Sequence, residues 1–293
     1  MLLVDASVYI FRAFHSLPSS MTGRDGRPVN AIYGYATFLH QLLAVADDAE
    51  VAAAFDESLT TSFRNDWYPQ YKANRETPPQ DLVDQIAACR EISEALGVKT
   101  LSSPVYEADD LIGTLAAGAD TPVTVVSSDK DLAQLLGVGD TLWDYAREIR
   151  YDADAIRARF GVDPAAIPDY LALVGDTVDN IPGVPGIGAK TAAALIQRFG
   201  DLETMLADCA AVAASGLRGA KSLAAKLQAY AEQARLSRRL ATIVTDIALD
   251  AEQRDIRRRP VDHDALAAIC DRLGVGSRLR SRLGLAAAAH DAP

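Results

Sequence analysis

Cysteine, histidine and tryptophan are scarce here: three, four and two residues in a chain of 293. Cys89, Cys209 and Cys270 are odd in number and lie far apart, which fits neither a disulfide framework nor a zinc-site spacing. Such thiols suit the reducing interior of a cell, and a cytoplasmic setting is expected. His15, His40, His263 and His290 are scattered, so Ser7 and Ser128 lack a histidine partner and a Ser-His-Asp hydrolase fits poorly. No apolar run approaches the roughly 20 residues that cross a bilayer. The opening Met1-Leu2-Leu3-Val4-Asp5 has no basic segment and reads poorly as a secretory leader. What is present is an ordinary globular composition, 49% hydrophobic and 24% charged. A chain of this length can bury roughly 75% of its unfolded surface without covalent staples.

The net charge of −11 at first argues against a nucleic-acid partner. Its distribution argues otherwise. Residues 235–282 hold eleven arginines against seven acids, net +4, which leaves the remainder at −15. The question becomes where the acids sit.

Three short apolar runs end at or run into an aspartate: Leu2-Leu3-Val4-Asp5, Val51 through Phe55 to Asp56, and Val123 through Ser128 to Asp129. Continuous rather than alternating hydrophobicity predicts strands buried on both faces, hence a parallel α/β sheet. Val98 to Leu101 and Thr141 to Trp143 read as a fourth and a fifth strand. Residues 31–47 and 79–96 read as helices, the second opened by Pro78-Pro79 and closed by Gly97. From about residue 152 helices dominate. In parallel sheets the binding crevice lies beyond the carboxyl ends of the strands. Three such strands would bring three carboxylates to one edge, although each aspartate alone could simply cap the next helix.

Glu107-Ala108-Asp109-Asp110 opens a further helix, Asp131 follows Asp129, and Asp176 and Asp179 would share a face if their segment were helical. Nine acids result: Asp5, Asp56, Glu107, Asp109, Asp110, Asp129, Asp131, Asp176 and Asp179. Crowded at one edge they would raise each other's pKa values unless cations intervened. Hard divalent ions, Mg²⁺ or Mn²⁺, suit all-oxygen donors. Setting the nine aside takes the net charge from −11 to −2. Two such ions form a clamp suited to phosphodiester hydrolysis without a protein nucleophile.

Two basic segments could present a phosphate. Arg64, Tyr71, Lys72 and Arg75 interleave cations with rings, as single-stranded nucleic acid requires, though an exposed loop with a few rings would read the same way. Pro185-Gly186-Ile187-Gly188-Ala189-Lys190-Thr191-Ala192 has the helix-hairpin-helix pattern. Its glycines admit a close backbone approach, and amides at the next helix start point at phosphate. Gly186, Ile187, Gly188, Ala189, Lys190 and Thr191 are the candidate DNA contacts there.

These motifs, in this order, resemble the 5′-nuclease (flap endonuclease) family, and most closely the 5′→3′ exonuclease domain of bacterial DNA polymerase I and its stand-alone relatives. Phe55-Asp56, Tyr71-Lys72-x-x-Arg75, Tyr106 to Asp110, Ser128-Asp129-Lys130-Asp131-Leu132, and Gly175-Asp176 through Asp179-Asn180-Ile181-Pro182-Gly183 to the hairpin carry the likeness. The resemblance implies a first metal cluster of Asp5, Asp56, Glu107 and Asp109, and a second of Asp129, Asp131 and Asp179, with Asp110 and Asp176 in support. It implies that Lys72 and Arg75 steer the scissile phosphate from a helical arch, residues 62–85, and that Tyr71 stacks on a base. It implies a K⁺ site on the backbone carbonyls of Leu173, Val174, Pro182, Val184 and Ile187. Ala6 stands where relatives often have glycine. A nuclease without a polymerase or proofreading segment is expected.

The expected architecture is therefore α/β with a mostly parallel central sheet and flanking helices, resembling PIN and resolvase bodies, plus the arch and a helix-hairpin-helix region. Residues 1–160 would form the nuclease body, 161–283 the helical DNA-binding region and 284–293 a flexible tail. The expected activity is Mg²⁺-dependent 5′→3′ exonuclease and flap endonuclease cleavage in DNA replication and repair, near the nucleoid. The expected substrates are 5′ ends, 5′ flaps and junctions, with a DNA polymerase or ligase as partner class. Two rivals are a DNA-binding module of the same fold with idle acids, and a PIN-type ribonuclease. A haloacid-dehalogenase-like phosphatase would need Asp-x-Asp after the first strand, and Asp5-Ala6-Ser7 fails that test.

Overall fold

The computed structural model describes residues 1–47, 49–58 and 62–285. The tail expected at 284–293 thus lies, from residue 286, outside the described residues. In chain order the first half runs β1 (Leu2–Asp5), α1 (Ala6–Ser16), α2 (Asn30–Val45), β2 (Val51–Asp56), α3 (Arg64–Trp67), α4 (Gln80–Ala95), β3 (Lys99–Ser103), α5 (Ala108–Ala117) and β4 (Thr124–Val126). Then follow β5 (Thr141–Asp144), β6 (Ile149–Tyr151), α6 (Ala153–Phe160), α7 (Ile167–Val174), α8 (Ala189–Phe199), α9 (Leu202–Ala207) and α10 (Cys209–Ala213). Last come α11 (Ala220–Ala229), α12 (Ala231–Ala241), α13 (Ala251–Arg254), α14 (His263–Leu273) and α15 (Ser277–Arg282). No helix among the described residues is long and apolar enough to cross a membrane.

The elements fall into two compact units that are not contiguous in sequence. The first comprises the described residues of Met1–Leu59, Thr77–Ser127 and Thr245–Pro293. Its sheet has four parallel strands in the order β3-β2-β1-β4. β1 pairs on both sides, and Leu3 and Val4 are wholly buried, as continuous hydrophobicity predicts for an inner strand. α5 packs across β1, β2 and β3 through the side that carries Leu111, Ile112 and Leu115. α1 packs on β2 and α2, and α2 on α4. There the Tyr35 hydroxyl, 2.8 Å from Ser93 Oγ, is fully enclosed, and burial pushes its pKa upward. α4 ends at Gly97, whose φ of +79° suits a residue without a side chain. A Cβ there would also stand 1.9 Å from the Arg259 carbonyl. That contact lets the returning chain dock, with the Arg259 amide on the Gly97 carbonyl at 2.9 Å and the Asp262 amide on Ala95 at 2.8 Å.

The second unit comprises the described residues of Thr60–Glu76 and Ser128–Val244. It holds α3, the antiparallel β5–β6 hairpin and helices α6 to α12. The sequence reading missed β6, because its residues are mostly exposed and it follows β5 through a short turn with Glu148 at φ +57°. α7 packs against α12 and α8, and Leu171, Ala172, Leu173, Leu195, Ala234 and Leu240 close that core. Residues 62–85 contain α3 and the start of α4, joined by turns and coil, so helix covers only part of the span read as an arch.

Several arginines of the carboxyl-terminal segment have partners within their own unit. Arg235 meets Glu203 at 2.9 Å, Arg238 meets Asp169 at 2.9 Å, and Arg257 meets Asp255 at 2.7 Å. Arg280 meets Asp271 at 2.8 Å, and Arg239 stacks over Trp67 at 3.4 Å. Only Arg280 of these is buried; the side chains of Arg235, Arg238 and Arg257 stay partly or largely exposed.

Candidate active site

In the first unit, five expected ligands lie where strands end and α5 begins. Asp5 closes β1 and is 2% exposed. It caps α1 through the Val8 amide at 3.3 Å and accepts the Ser127 hydroxyl at 2.8 Å. Parallel register pairs Asp5 with Ala54, so Asp56, two residues on, projects from the same face. Asp56 Oδ1 accepts the Ala108 amide at 2.9 Å, and its own amide donates to Ser7 Oγ at 3.1 Å. Ala108 is the first residue of α5, so this bond ties the end of β2 to the positive end of a helix dipole. Glu107 caps α5, and its amide donates to Asp110 Oδ2 at 3.1 Å in a capping box. Asp110 is wholly buried and Asp109 is half-buried. Asp5, Glu107 and Asp110 thus do cap helices, and Asp5 and Asp56 lie at neighbouring strand ends.

In the second unit, Asp129 Oδ1 accepts the Asp131 amide at 2.9 Å. Burial raises the Asp129 carboxyl, that amide and Lys130 lower it, and Asp179 adds to the rise; the result is upward. Burial together with Asp129 pushes Asp131 up to about 8, against partial relief from Lys130. Asp131 Oδ1 is buried without a hydrogen-bond partner, although Lys130 Nζ stands 3.6 Å away. Lys130 also bonds Asp176. Burial opposes the charge on Asp176, but Lys130 and the amides of Val178 and Asp179 outweigh it and hold this carboxyl below the usual range.

Asp176 and Asp179 do not share a helix face. They lie in a tight loop closed by reciprocal bonds between Asp176 and Ile181, at 2.9 and 2.7 Å, with Asn180 at φ +56°. Gly183, at φ +61°, passes the loop's start so closely that a Cβ would stand 2.4 Å from the Gly175 amide. The basic segment is fastened to this loop. The Lys72 amide donates to the Asp179 carbonyl at 3.0 Å, Asn74 Nδ2 to Thr177 O at 2.8 Å, and Asn180 Nδ2 to Gln70 O at 2.6 Å. The Asp179 carboxylate receives Arg75 at 2.5 Å and the Tyr71 hydroxyl at 3.2 Å, with Lys72 Nζ at 3.8 Å.

Two residues read as DNA-facing are buried. Tyr71 is 3% exposed, its hydroxyl spent on Asp179. Arg64 is 2% exposed, with its guanidinium on the carbonyls of Leu240 at 2.9 Å and Thr242 at 3.0 Å. In the hairpin, Ile187 is buried as the anchor, while Gly186, Gly188, Ala189 and Lys190 are exposed and Thr191 is half-buried at the start of α8. Gly186 O accepts from Lys226 Nζ at 3.3 Å. Of the carbonyls assigned to potassium, that of Leu173 accepts the Val184 amide at 2.8 Å, and that of Val184 accepts the Ile187 amide at 3.1 Å. Val174 lies against the Gly183 backbone, and Pro182 is exposed.

Sequence reasoning gave no role to Lys130, Ser127 or Ser7. The signal available was position alone, since each lies within two residues of a strand-end or motif aspartate. Among the described residues no three His, Cys, Asp or Glu side chains stand ready-formed around an ion position. The carboxylates are instead held by hydroxyls, amides and the cations Lys72, Arg75 and Lys130. Their chemistry still suits a hard divalent ion: the donors are all oxygen, several are buried, and Asp131 Oδ1 lacks a hydrogen bond.

Residues 1–161 match the family model described as 5′-3′ exonuclease, N-terminal resolvase-like domain, and residues 162–264 the one described as 5′-3′ exonuclease, C-terminal SAM fold. The chain is 43% identical over 273 residues to DNA polymerase I of Pseudomonas aeruginosa, which covers 92% of this chain but 30% of that protein. It therefore spans about a third of the length of such relatives. It is 35% identical over 262 residues to the 5′-3′ exonuclease of Buchnera aphidicola, covering 88% of this chain and 86% of that one. In fold it resembles the T5 D15 protein co-crystallized with metal ions (TM-score 0.69, 19% identity, 97% of this chain and 98% of that one). It also resembles the catalytic core of Rad2 in complex with DNA substrate (TM-score 0.63, 18% identity, 96% and 90%). With a resolvase-like sheet, a helical second half and matches along nearly its whole length, the chain belongs to the 5′-3′ exonuclease family.

Proposed function

We propose that this chain is a divalent-cation-dependent 5′ nuclease that hydrolyses DNA phosphodiesters at 5′ ends, 5′ flaps and single-strand/duplex junctions in replication and repair. The observation that carries the reading is the Asp179 carboxylate, which gathers Arg75, Tyr71 and Lys72 onto the loop that also holds Asp176. Phosphate-binding cations and metal-type carboxylates are thus one mechanical element. The similarity to a stand-alone 5′-3′ exonuclease supports the activity, and the fold likeness to proteins crystallized with metal ions or DNA supports the cofactor and substrate class.

Asp5, Asp56, Glu107 and Asp109 would hold one ion and Asp129, Asp131 and Asp179 another, Mg²⁺ or Mn²⁺, with Asp110 and Asp176 orienting them. Bound divalent ions supply Lewis-acid polarisation of the phosphodiester and of the attacking water. The rest falls to the chain. Ser127 and the α5 amide aim Asp5 and Asp56. Lys72 and Arg75 exchange Asp179 for a substrate phosphate and stabilise charge developing on it. The hairpin backbone at the exposed Gly186, Gly188 and Ala189 and the Lys190 ammonium would grip the duplex backbone without reading sequence. The carbonyls of Leu173, Val174, Pro182, Val184 and Ile187 are the proposed K⁺ site that would brace that hairpin. Residues 161–283 would supply most of the duplex grip, and a DNA polymerase or ligase is the partner class that would use the product.

One gel tests the reading. End-labelled 5′-flap, nicked and blunt DNA duplexes, and an RNA strand of the same sequence, are incubated with Mg²⁺ or with chelator. Cleavage near the 5′ end that vanishes with chelator supports the assignment. Binding without cleavage would leave a DNA-binding module, and cleavage of RNA alone would favour a ribonuclease.

A further inference from the structure

Lys130 sits between two metal-type aspartates in sequence and reaches a third across the loop: it bonds Asp176 and stands 3.6 Å from Asp131 Oδ1. Both partners are largely enclosed, with side chains 5% and 13% exposed, whereas that of Lys130 is 37% exposed. The other two cations of this unit's cluster, Lys72 and Arg75, contact Asp179 instead. Four carboxylates (Asp129, Asp131, Asp176, Asp179) are thus matched with three cations that divide the work. A buried carboxylate group without an ion is costly, and a tethered ammonium is the cheapest internal remedy. A lysine ammonium is a mobile point charge on a flexible stem, which can swing out into water when something better arrives.

We infer that Lys130 is an internal stand-in cation: in the metal-free protein its ammonium neutralises Asp176 beside Asp131, and a divalent ion must displace it to bind. This rests on the reading that these carboxylates hold metal. The same side chain therefore does two opposed things. It keeps the unloaded pocket from opening under its own charge, and it competes with the ion for the same oxygens. A lysine that merely supported the fold would do only the first.

The two roles separate in Lys130→Met, which keeps the aliphatic stem and removes the charge. Mn²⁺ binding to the full chain without DNA, followed by calorimetry and by the Mn²⁺ electron-spin signal, should become tighter by about fivefold or more, the factor that one unit charge at contact distance gives even in bulk water. The melting temperature without metal should fall and should recover when Mn²⁺ is added. Lys130→Arg, which keeps the charge, should bind Mn²⁺ within about twofold of the parent. Circular dichroism reports folding, and Lys130→Gln repeats the charge removal if the Met variant does not fold. Equal or weaker Mn²⁺ binding by a folded, charge-removed variant overturns the inference while leaving the nuclease reading intact. A parent chain that binds no Mn²⁺ at all overturns both.

Discussion

Arg75 Nη2 stands 2.5 Å from Asp179 Oδ1, and the Lys72 amide three residues earlier holds the backbone carbonyl of the same aspartate at 3.0 Å. The basic segment and the acidic loop are therefore joined at Asp179, with Asn74 on Thr177 and Asn180 on Gln70 as further ties. Arg75 is 36% exposed, so solvent screens this pair and it adds little to stability. Arg75→Ala should lower single-turnover cleavage about 10²-fold, while denaturant unfolding shifts by less than about 1 kcal/mol. A large loss of stability with an unchanged rate would give Arg75 a structural role only.

Arg64 should behave in the opposite way. Its buried guanidinium serves the Leu240 and Thr242 carbonyls. Arg64→Ala should cost about 2–3 kcal/mol in urea unfolding, because it strands two acceptors that water cannot easily reach. DNA affinity per folded molecule should scarcely change. Fluorescence anisotropy on a 5′-flap at a temperature where the variant is folded measures the second half of this expectation.

Asp131 sets a pH dependence. The folded protein raises this carboxyl to about 8 through burial and Asp129, whereas an unfolded aspartate titrates near about 3.9. The folded chain holds the proton more tightly, so this contribution to stability is fully present below about pH 4 and is lost as pH rises through about 8. The melting temperature in chelator should therefore decline over that window, and Asp131→Asn should flatten the decline. The gain from added Mg²⁺ should grow over the same window, because the ion competes with a proton. A gain from Mg²⁺ that is the same at both ends of the window would contradict this.

Lys190 lies exposed beside the Gly186–Gly188 turn. Lys190→Ala should weaken duplex binding about equally for unrelated sequences and reduce the slope of log K against log salt by about one. Sequence-selective weakening would point to base contacts instead of phosphate contacts.

Much of the sheet was legible in the sequence because buried parallel strands are written as unbroken apolar runs. Asp5 and Asp56 end theirs as expected, and Asp129 follows the last residue of β4 by three. Glu107 and Asp110 were legible as the opening of a helix and form its capping box. The loop at residues 176–181 was not legible as a loop. Its shape depends on a left-handed Asn180 and on the close passage of Gly183 past Gly175, both imposed by tertiary packing. Arg64 and Tyr71 were misplaced for a related reason: cations among aromatic residues read alike whether the rings face solvent or core. The hold of Lys130 on Asp176 spans 46 positions and leaves no local trace. The docking of the segment after Thr245 into the first unit was hidden too, since it rests on backbone bonds to Ala95 and Gly97.

If the acids at the strand ends and in the loop serve to cut DNA, beyond the helix caps that Asp5 and Glu107 provide, Asp129→Ala shows it most directly. In Mg²⁺, with a labelled 5′-flap, the variant should bind as tightly as the parent and show no cleavage in single-turnover conditions. Cleavage at the parental rate by a folded Asp129→Ala protein would contradict the account.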